Sequence, residues 1–300
     1  MSRPTRSTAA GRAYLDLQNR ARAEGRGTQE LLTLYVIERW LARLSASPYR
    51  DQFVLKGGML LAAFDVRRPT ADLDALARNL ANDEAAVVSR ICAVAAQPVA
   101  EDGVEFKLRT VTSRVIRESG LYSGVRIAMD CALASAIVKL RIDVNFGDPV
   151  IPAPQLLHLP ALRPGGSHIA ILGYPVETIL AEKISTAVTL GPANTRVRDY
   201  ADLYTLTGTR DLLHAAVREA LLATSAHRQA GLVPLSSVLG NLVGLRARAY
   251  AAYRTGLGPD GGKLPEDFST VVSAVVTFAD RLVEEAERTI TWNCASRSWH

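Results

Sequence analysis

Lys56-Gly57-Gly58 closes a short apolar run, Phe53-Val54-Leu55, and Thr70-Ala71-Asp72-Leu73-Asp74 follows an apolar segment from Met59 to Phe64. Period-two spacing puts Asp72 and Asp74 on one face of a strand and turns Leu73 the other way, into a core. Two carboxylates held side by side repel each other unless a cation sits between them, and hard divalent ions such as Mg²⁺ suit oxygen ligands. A glycine turn leading into a helix frees backbone N–H groups for phosphate and lets the phosphate approach closely. Metal carboxylates beside a phosphate cradle imply nucleotide chemistry. A plain turn or N-cap pair after Arg68-Pro69 is the competing account of the same two aspartates.

Later segments carry further candidates. Val138-Lys139-Leu140-Arg141-Ile142-Asp143-Val144-Asn145-Phe146 has a strand pattern, with Asp143 between two β-branched residues. Asp130 sits on another candidate strand, and the symmetric flanks favour Asp143. Lys183 shares a helix face with Ile179, Leu180 and Ala187. A lysine in such company either snorkels to solvent or reaches into a site. Asp199 and Asp202 lie at a helix start, where carboxylates complement the dipole in any case.

The order of these blocks resembles the polymerase-β-type nucleotidyltransferase superfamily: a hydrophobic residue, a glycine pair, a spacer, Asp-x-Asp, then a third carboxylate on a neighbouring strand. Within it, Leu180-Ala181-Glu182-Lys183 followed by Arg196-Val197-Arg198-Asp199-Tyr200-Ala201-Asp202-Leu203 is similar to the AbiEii/AbiGii toxin family and its MenT-like relatives. The resemblance covers roughly residues 30 to 210. It implies that Asp72, Asp74 and Asp143 are catalytic ligands of Mg²⁺, with Asp143 also drawing a proton from the attacking hydroxyl. Lys56, Gly57, Gly58 and Thr70 fall on the nucleotide-binding turn, where a solvated strand-end lysine accounts equally well for Lys56 and capping of the turn better for Thr70. Lys183 becomes a catalytic point charge on the triphosphate, and Asp199 orients it or a metal-bound water. Asp202 is left for a structural pair with Arg198 or Arg196. Arg196, Arg198, Arg210 and Arg228 become contacts to RNA phosphates, with surface arginines in ordinary helix pairing as an equally good account.

The function implied by the resemblance is that of a toxin from a toxin–antitoxin system. It would transfer nucleotides from an NTP to the 3′ end of tRNA and so block translation, with a cognate antitoxin as partner. Nucleotidylation of a protein or small molecule, or a non-catalytic nucleotide- or antitoxin-binding module, are the alternatives. All three carboxylates are present, which favours the enzyme.

Composition is compatible with this and excludes little. The 300 residues carry 48% hydrophobic and 22% charged residues, ordinary for a globular chain able to bury a sizeable core. A net charge of +5 suits a polyanionic partner without amounting to a basic tail. Cys92, Cys131 and Cys294 have neither disulfide-framework nor zinc spacing, the histidines are scattered, and no apolar run approaches a bilayer span. A cytoplasmic protein is expected, with no membrane partner.

These side chains need an α+β scaffold to hold them: a nucleotidyltransferase-type mixed sheet with flanking helices, followed by an all-helical C-terminal lobe. The spacing assigns 1–27 to a partly flexible N-terminal segment with a short helix near Ala13–Ala23, 28–172 to the α/β lobe and 173–300 to the helical lobe. Thr28 reads as the N-cap of a helix running to Leu44, and Asn82-Asp83-Glu84 as the start of another ending near Ala96. Val104–Val115, Gly124–Leu133 and Ile137–Phe146 read as three antiparallel strands. The proline-rich stretch after Gly147 reads as an irregular crossover with one short strand at His168–Leu172. Beyond Pro175 only helices are expected: Val176–Leu190, Asp199–Thr207, Arg210–Ala223, Ser236–Tyr253 and Glu266–Ile290.

Overall fold

The computed structural model describes residues 4–66, 68–99, 102–118, 122–285 and 289–300. The chain divides into two compact units: Met1–Gly147 with Gln155–Gly173, and Asp148–Pro154 with Tyr174–His300.

In the first unit, α1 (Ala9–Ala23) starts at Thr8, whose hydroxyl accepts from the Gly11 N–H, and is part of this unit. Helix α2 (Thr28–Ala46) follows Gly27, which is the N-cap with no side-chain cap bond. Thr28 is thus the first helical residue rather than the cap. The apolar stripe of α2 buries Leu31, Leu34, Tyr35, Ile37 and Trp40, and Trp40 meets Phe53 edge-on at 6.1 Å. Each such side chain is worth about 1.5–3 kcal/mol on burial. Strand β1 (Phe53–Lys56) runs into the four-residue helix α3 (Gly57–Leu60) and a further helical turn to Phe64. Strand β2 (Leu73–Ala77) then leads to α4 (Glu84–Ala95), capped by the Asp83 carboxylate on the Ala86 N–H.

The expected single strand Val104–Val115 is two. β3 (Val104–Phe106) and β4 (Thr112–Glu118) are separated by a helical turn at Leu108–Thr110. Both pair with β5 (Tyr122–Leu133), which turns tightly into β6 (Ala136–Asn145). The proline-rich crossover holds an unexpected strand, β7 (Gln155–Leu159), paired antiparallel with β8 (Ile169–Gly173). Proline-bounded, short and half exposed, β7 has too little apolar alternation to stand out. The sheet order is β3-β5-β6-β2-β1-β8-β7, with β4 beside β5; β2–β6 and β1–β8 are parallel. Val125, Ile127 and Met129 of β5 and Val138, Leu140, Ile142 and Val144 of β6 are buried on one side.

The second unit carries α5 (Val176–Leu190), α6 (Val197–Thr207), the two-residue β9 (Leu212–Leu213) and α7 (His214–His227). Helices α8 (Leu242–Gly256) and α9 (Phe268–Asp280) follow, and the tail forms β10 (Thr291–Asn293) and β11 (Ser298–Trp299). The expected all-helical lobe is therefore corrected: β11, β10 and β9 make a small antiparallel sheet. Strands of two or three residues are too short for any period to register. What holds them is aromatic packing. Trp292 is fully buried, donates its indole N–H to the Thr207 carbonyl at 2.7 Å, and lies 5.0 Å from Phe278. Trp299 stacks on Phe278 at 5.1 Å, so both tail tryptophans dock the tail. The expected helix Glu266–Ile290 ends at Asp280, is followed by a turn at Arg281–Val283, and at residues 286–288 lies outside the described residues.

Candidate active site

Strand register assembles one group of the expected residues. Lys56 faces Asp74 across β1 and β2, and Asp74 faces Asp143 across the parallel pair β2 and β6. Directly paired residues project to the same side of a sheet, so the three form a row over neighbouring strands. Asp72 stands just before β2, two residues from Asp74, and one of its carboxylate oxygens is buried with no hydrogen-bond partner among the described residues. Asp130, the competing carboxylate, lies opposite Lys139 far along the hairpin and pairs with it at 2.9 Å.

The glycine turn is shaped by this row. Gly57 has φ +68°, and a Cβ there would sit 2.0 Å from Asp74 Oδ2. Only glycine lets the carboxylate lie over the turn. At Gly58 a Cβ would come within 2.8 Å of the Thr70 hydroxyl and 3.0 Å of the Arg68 guanidinium. The Thr70 hydroxyl donates to the Asp72 carbonyl at 3.2 Å, which fixes the chain as it enters β2. Helix α3 is one turn long, so its dipole is slight beside these full charges.

The residue that sequence reading missed is Arg126. It pairs with Asp143 across β5 and β6, with Nε donating to Oδ1 at 2.7 Å and a terminal guanidinium nitrogen donating to Oδ2. Hydrogen bonding to Asp143 is the strongest influence on this guanidinium. With the charges of Asp143, Asp72 and Asp74 it outweighs burial and raises the pKa above the ordinary arginine value. A signal was available. The tight turn at Ala134-Ser135 sets Leu133 against Ala136, and counting back along both strands brings Arg126 opposite Asp143.

The remaining expected residues belong to the second unit. Lys183 on α5 donates to Asp199 Oδ1 and Asp202 Oδ2 on α6, each at 2.7 Å. Asp202 is thus paired with Lys183, where Arg198 or Arg196 was expected. The side chains are 13%, 12% and 2% exposed, so this is a buried ammonium between two carboxylates. Burial pushes the Asp199 carboxyl upward, but Lys183, with help from Arg198 and Arg196, holds it below its ordinary value. Of the arginines expected on RNA, Arg196 and Arg198 are exposed. Arg228 instead ties α7 to α5 through the Glu182 carbonyl at 3.1 Å, the Thr186 hydroxyl at 2.8 Å and the Glu182 carboxylate at 3.5 Å.

No group of three His, Cys, Asp or Glu side chains forms a ready metal cage among the described residues. The chemistry of the donors nonetheless fits a hard divalent cation. Asp72, Asp74 and Asp143 offer only oxygen, and the orphaned Asp72 oxygen is a buried acceptor awaiting a partner.

A mixed α+β sheet with a glycine turn and aspartates on its central strands is the framework of a nucleotidyltransferase. A family model described as the nucleotidyl transferase AbiEii toxin, type IV toxin–antitoxin system, matches residues 39–274, and the chain belongs to that family. Its activity class is therefore nucleotidyl transfer, and the family implies an antitoxin partner. None of the curated proteins matches the chain. Among solved structures, a candidate nucleotidyltransferase from H. pylori is 15% identical with a TM-score of 0.46, covering 86% of this chain and 95% of the other. JHP933 from Helicobacter pylori has the same identity, TM-score and coverage of this chain, with 92% of its own length covered. Among the described residues no helix is long and apolar enough to cross a membrane.

Proposed function

We propose that this AbiEii-family enzyme is a cytoplasmic, Mg²⁺-dependent toxin that joins a nucleotide from an NTP to the 3′ end of tRNA and so stops translation. The observation that carries the reading is the placement of Asp74 beside Asp143 on parallel strands, with Asp72 at the strand entry and Gly57 beneath Asp74. The tRNA acceptor rests on the sequence resemblance to MenT-like relatives and on a net charge of +5.

In this reaction the 3′ oxygen forms a bond to the α-phosphorus, and the bond from that phosphorus to the β-bridging oxygen breaks. Pyrophosphate leaves with the electron pair. The hydroxyl proton passes to Asp143, whose carboxylate keeps lone pairs beyond those bonded to Arg126. Mg²⁺, held by Asp72, Asp74 and Asp143, would supply stabilisation of the charge on the triphosphate. The Gly57-Gly58 turn and Lys56 receive phosphate oxygens, and Thr70 holds the turn in place. Within the second unit, Asp199 and Asp202 set the position of the Lys183 ammonium.

The test is incubation of the purified protein with total tRNA, Mg²⁺ and each α-³²P-labelled NTP in turn, with Asp74→Ala alongside. Label on tRNA that vanishes in the variant is the expected result and also names the nucleotide. Failure to label tRNA with any of the four NTPs, under conditions where nucleotide still binds, would overturn the acceptor assignment.

A further inference from the structure

The hairpin β5–β6 and its neighbour β4 have one buried side and one solvent side. Along β6, Val138, Leu140, Ile142 and Val144 are buried, whereas Lys139 and Arg141 are exposed. On β4, Arg114 is exposed and lies directly opposite Arg126, which lies opposite Asp143. Arg141 projects on the same side, two residues from Asp143 along β6. The solvent side thus carries Arg114, Arg126 and Arg141 around one edge of the carboxylate row. Strand spacing of about 4.8 Å puts the Arg114 and Asp143 backbones roughly 10 Å apart.

The charges on this side are unevenly spent. Arg126 is committed to Asp143, and Lys139 to Asp130. The side chains of Arg114 and Arg141 make no hydrogen bond or ion pair with any described residue. Glu105, a further carboxylate on this side, is on β3 opposite Ala132, near the turn and away from Arg126. Two uncommitted guanidinium groups on the strands that flank β5, beside a site for nucleotide chemistry, match the spaced negative charges of a phosphodiester chain. Strands fix the spacing of such groups more tightly than loops do.

We propose that the solvent side of β4–β5–β6 is the docking track for the phosphate backbone of the nucleic-acid acceptor, with Arg114 and Arg141 as its anchors. The track leads the acceptor end to Asp74 and Asp143. This inference rests on the reading of the enzyme as an RNA nucleotidyltransferase, and it moves the acceptor contacts onto the sheet of the first unit.

The experiment is fluorescence anisotropy of labelled total tRNA against the full-length protein over a KCl series, without NTP. The variants are R114Q/R141Q, R114E/R141E and the charge-matched control R22E/R50E, whose residues are likewise exposed. Each phosphate contact adds about 0.9 to the slope of log affinity against log salt. R114Q/R141Q should therefore flatten the slope by roughly 2 and lower the affinity at least about 10-fold, and R114E/R141E should go further. The control should change affinity by less than about 3-fold. Unchanged slope and affinity in R114Q/R141Q, or equal losses in R114E/R141E and R22E/R50E, would overturn the proposal. Binding needs no transfer, so the two readings fail separately. Selective loss of binding in a protein that labels no tRNA sinks only the acceptor chemistry. Full labelling at an unchanged KM for tRNA in R114Q/R141Q sinks only the track.

Discussion

Two clusters of aspartates in this molecule solve charge repulsion differently. At β2 and β6 three carboxylates, Asp72, Asp74 and Asp143, gather beside the Arg126 guanidinium; the Arg126 and Asp143 side chains are 31% and 11% exposed, and one carboxylate oxygen of Asp72 is without a hydrogen bond among the described residues. Between α5 and α6 two carboxylates share one ammonium in a setting that is 2–13% exposed, and each has a 2.7 Å bond to it. The first retains an unused acceptor among the described residues. The second is compact and nearly closed. A carboxylate cluster with an unused acceptor can take up a cation, whereas a buried and paired one mainly fixes the geometry of its members. The sheet aspartates are thus the candidates for chemistry, and Asp199 and Asp202 for holding Lys183 in place.

Substitutions can break this contrast. The largest effect is expected for Gly57→Ala, which requires a Cβ at positive φ against Asp74 Oδ2. Transfer should fall about 10²-fold or more from displacement of that carboxylate. A variant as active as wild type would show that Asp74 does not need its place over the turn. Next, Lys183→Met leaves two buried carboxylates without their ammonium. Urea unfolding should record a loss of about 3–5 kcal/mol.

The same pair carries an acid dependence. The folded pKa of Asp199 is depressed, so its stabilisation is full above the ordinary carboxylate value of 3.8 and is lost as pH falls through the folded value. The stability gap between wild type and Asp199→Asn should therefore shrink below about pH 4. A gap that widens on acidification would contradict the assignment.

A smaller loss, about 1–3 kcal/mol, is expected for Arg126→Met in EDTA, because Asp143 loses its bidentate partner. Mn²⁺ should recover part of it by binding the freed carboxylates. If thermal melting of this variant ignores Mn²⁺, the sheet carboxylates do not hold a divalent cation. Smallest of all, Thr70→Val removes one hydroxyl bond to the Asp72 carbonyl, worth about 0.5–1.5 kcal/mol. Its transfer rate should stay within a few-fold of wild type; a collapse would mean the hydroxyl touches substrate.

The types of residue in both clusters were legible in the sequence, but several of their partners were not. Alternation around Leu73 and Ile142 marked strands, and the period of two set Asp72, Asp74 and Asp143 apart from the core. Parallel pairing of β2 with β6 joins segments nearly seventy positions apart, and no local pattern states that register. Arg126 was within reach through the tight hairpin turn, yet an arginine on a strand reads as an ordinary solvent-facing residue until its partner is fixed. On α6, Asp199 and Asp202 are spaced so that both can face α5, but arginines nearer in sequence were the more obvious partners for Asp202. The small sheet of β9, β10 and β11 escaped because strands of two or three residues have no measurable period. Its determinants are the burial of Trp292 and the stacking of Trp299, which exist only in three dimensions.

Under the proposed function, the aspartate in register with Asp74 belongs to the reacting site and the other strand aspartate of the hairpin does not. The direct measurement is the initial rate of nucleotide transfer by wild type, Asp143→Asn and Asp130→Asn at saturating NTP and acceptor, after all three are shown to melt alike. Asp143→Asn should fall by more than about 10²-fold and Asp130→Asn should stay within about 3-fold of wild type. Transfer retained by Asp143→Asn and lost by Asp130→Asn would contradict the account.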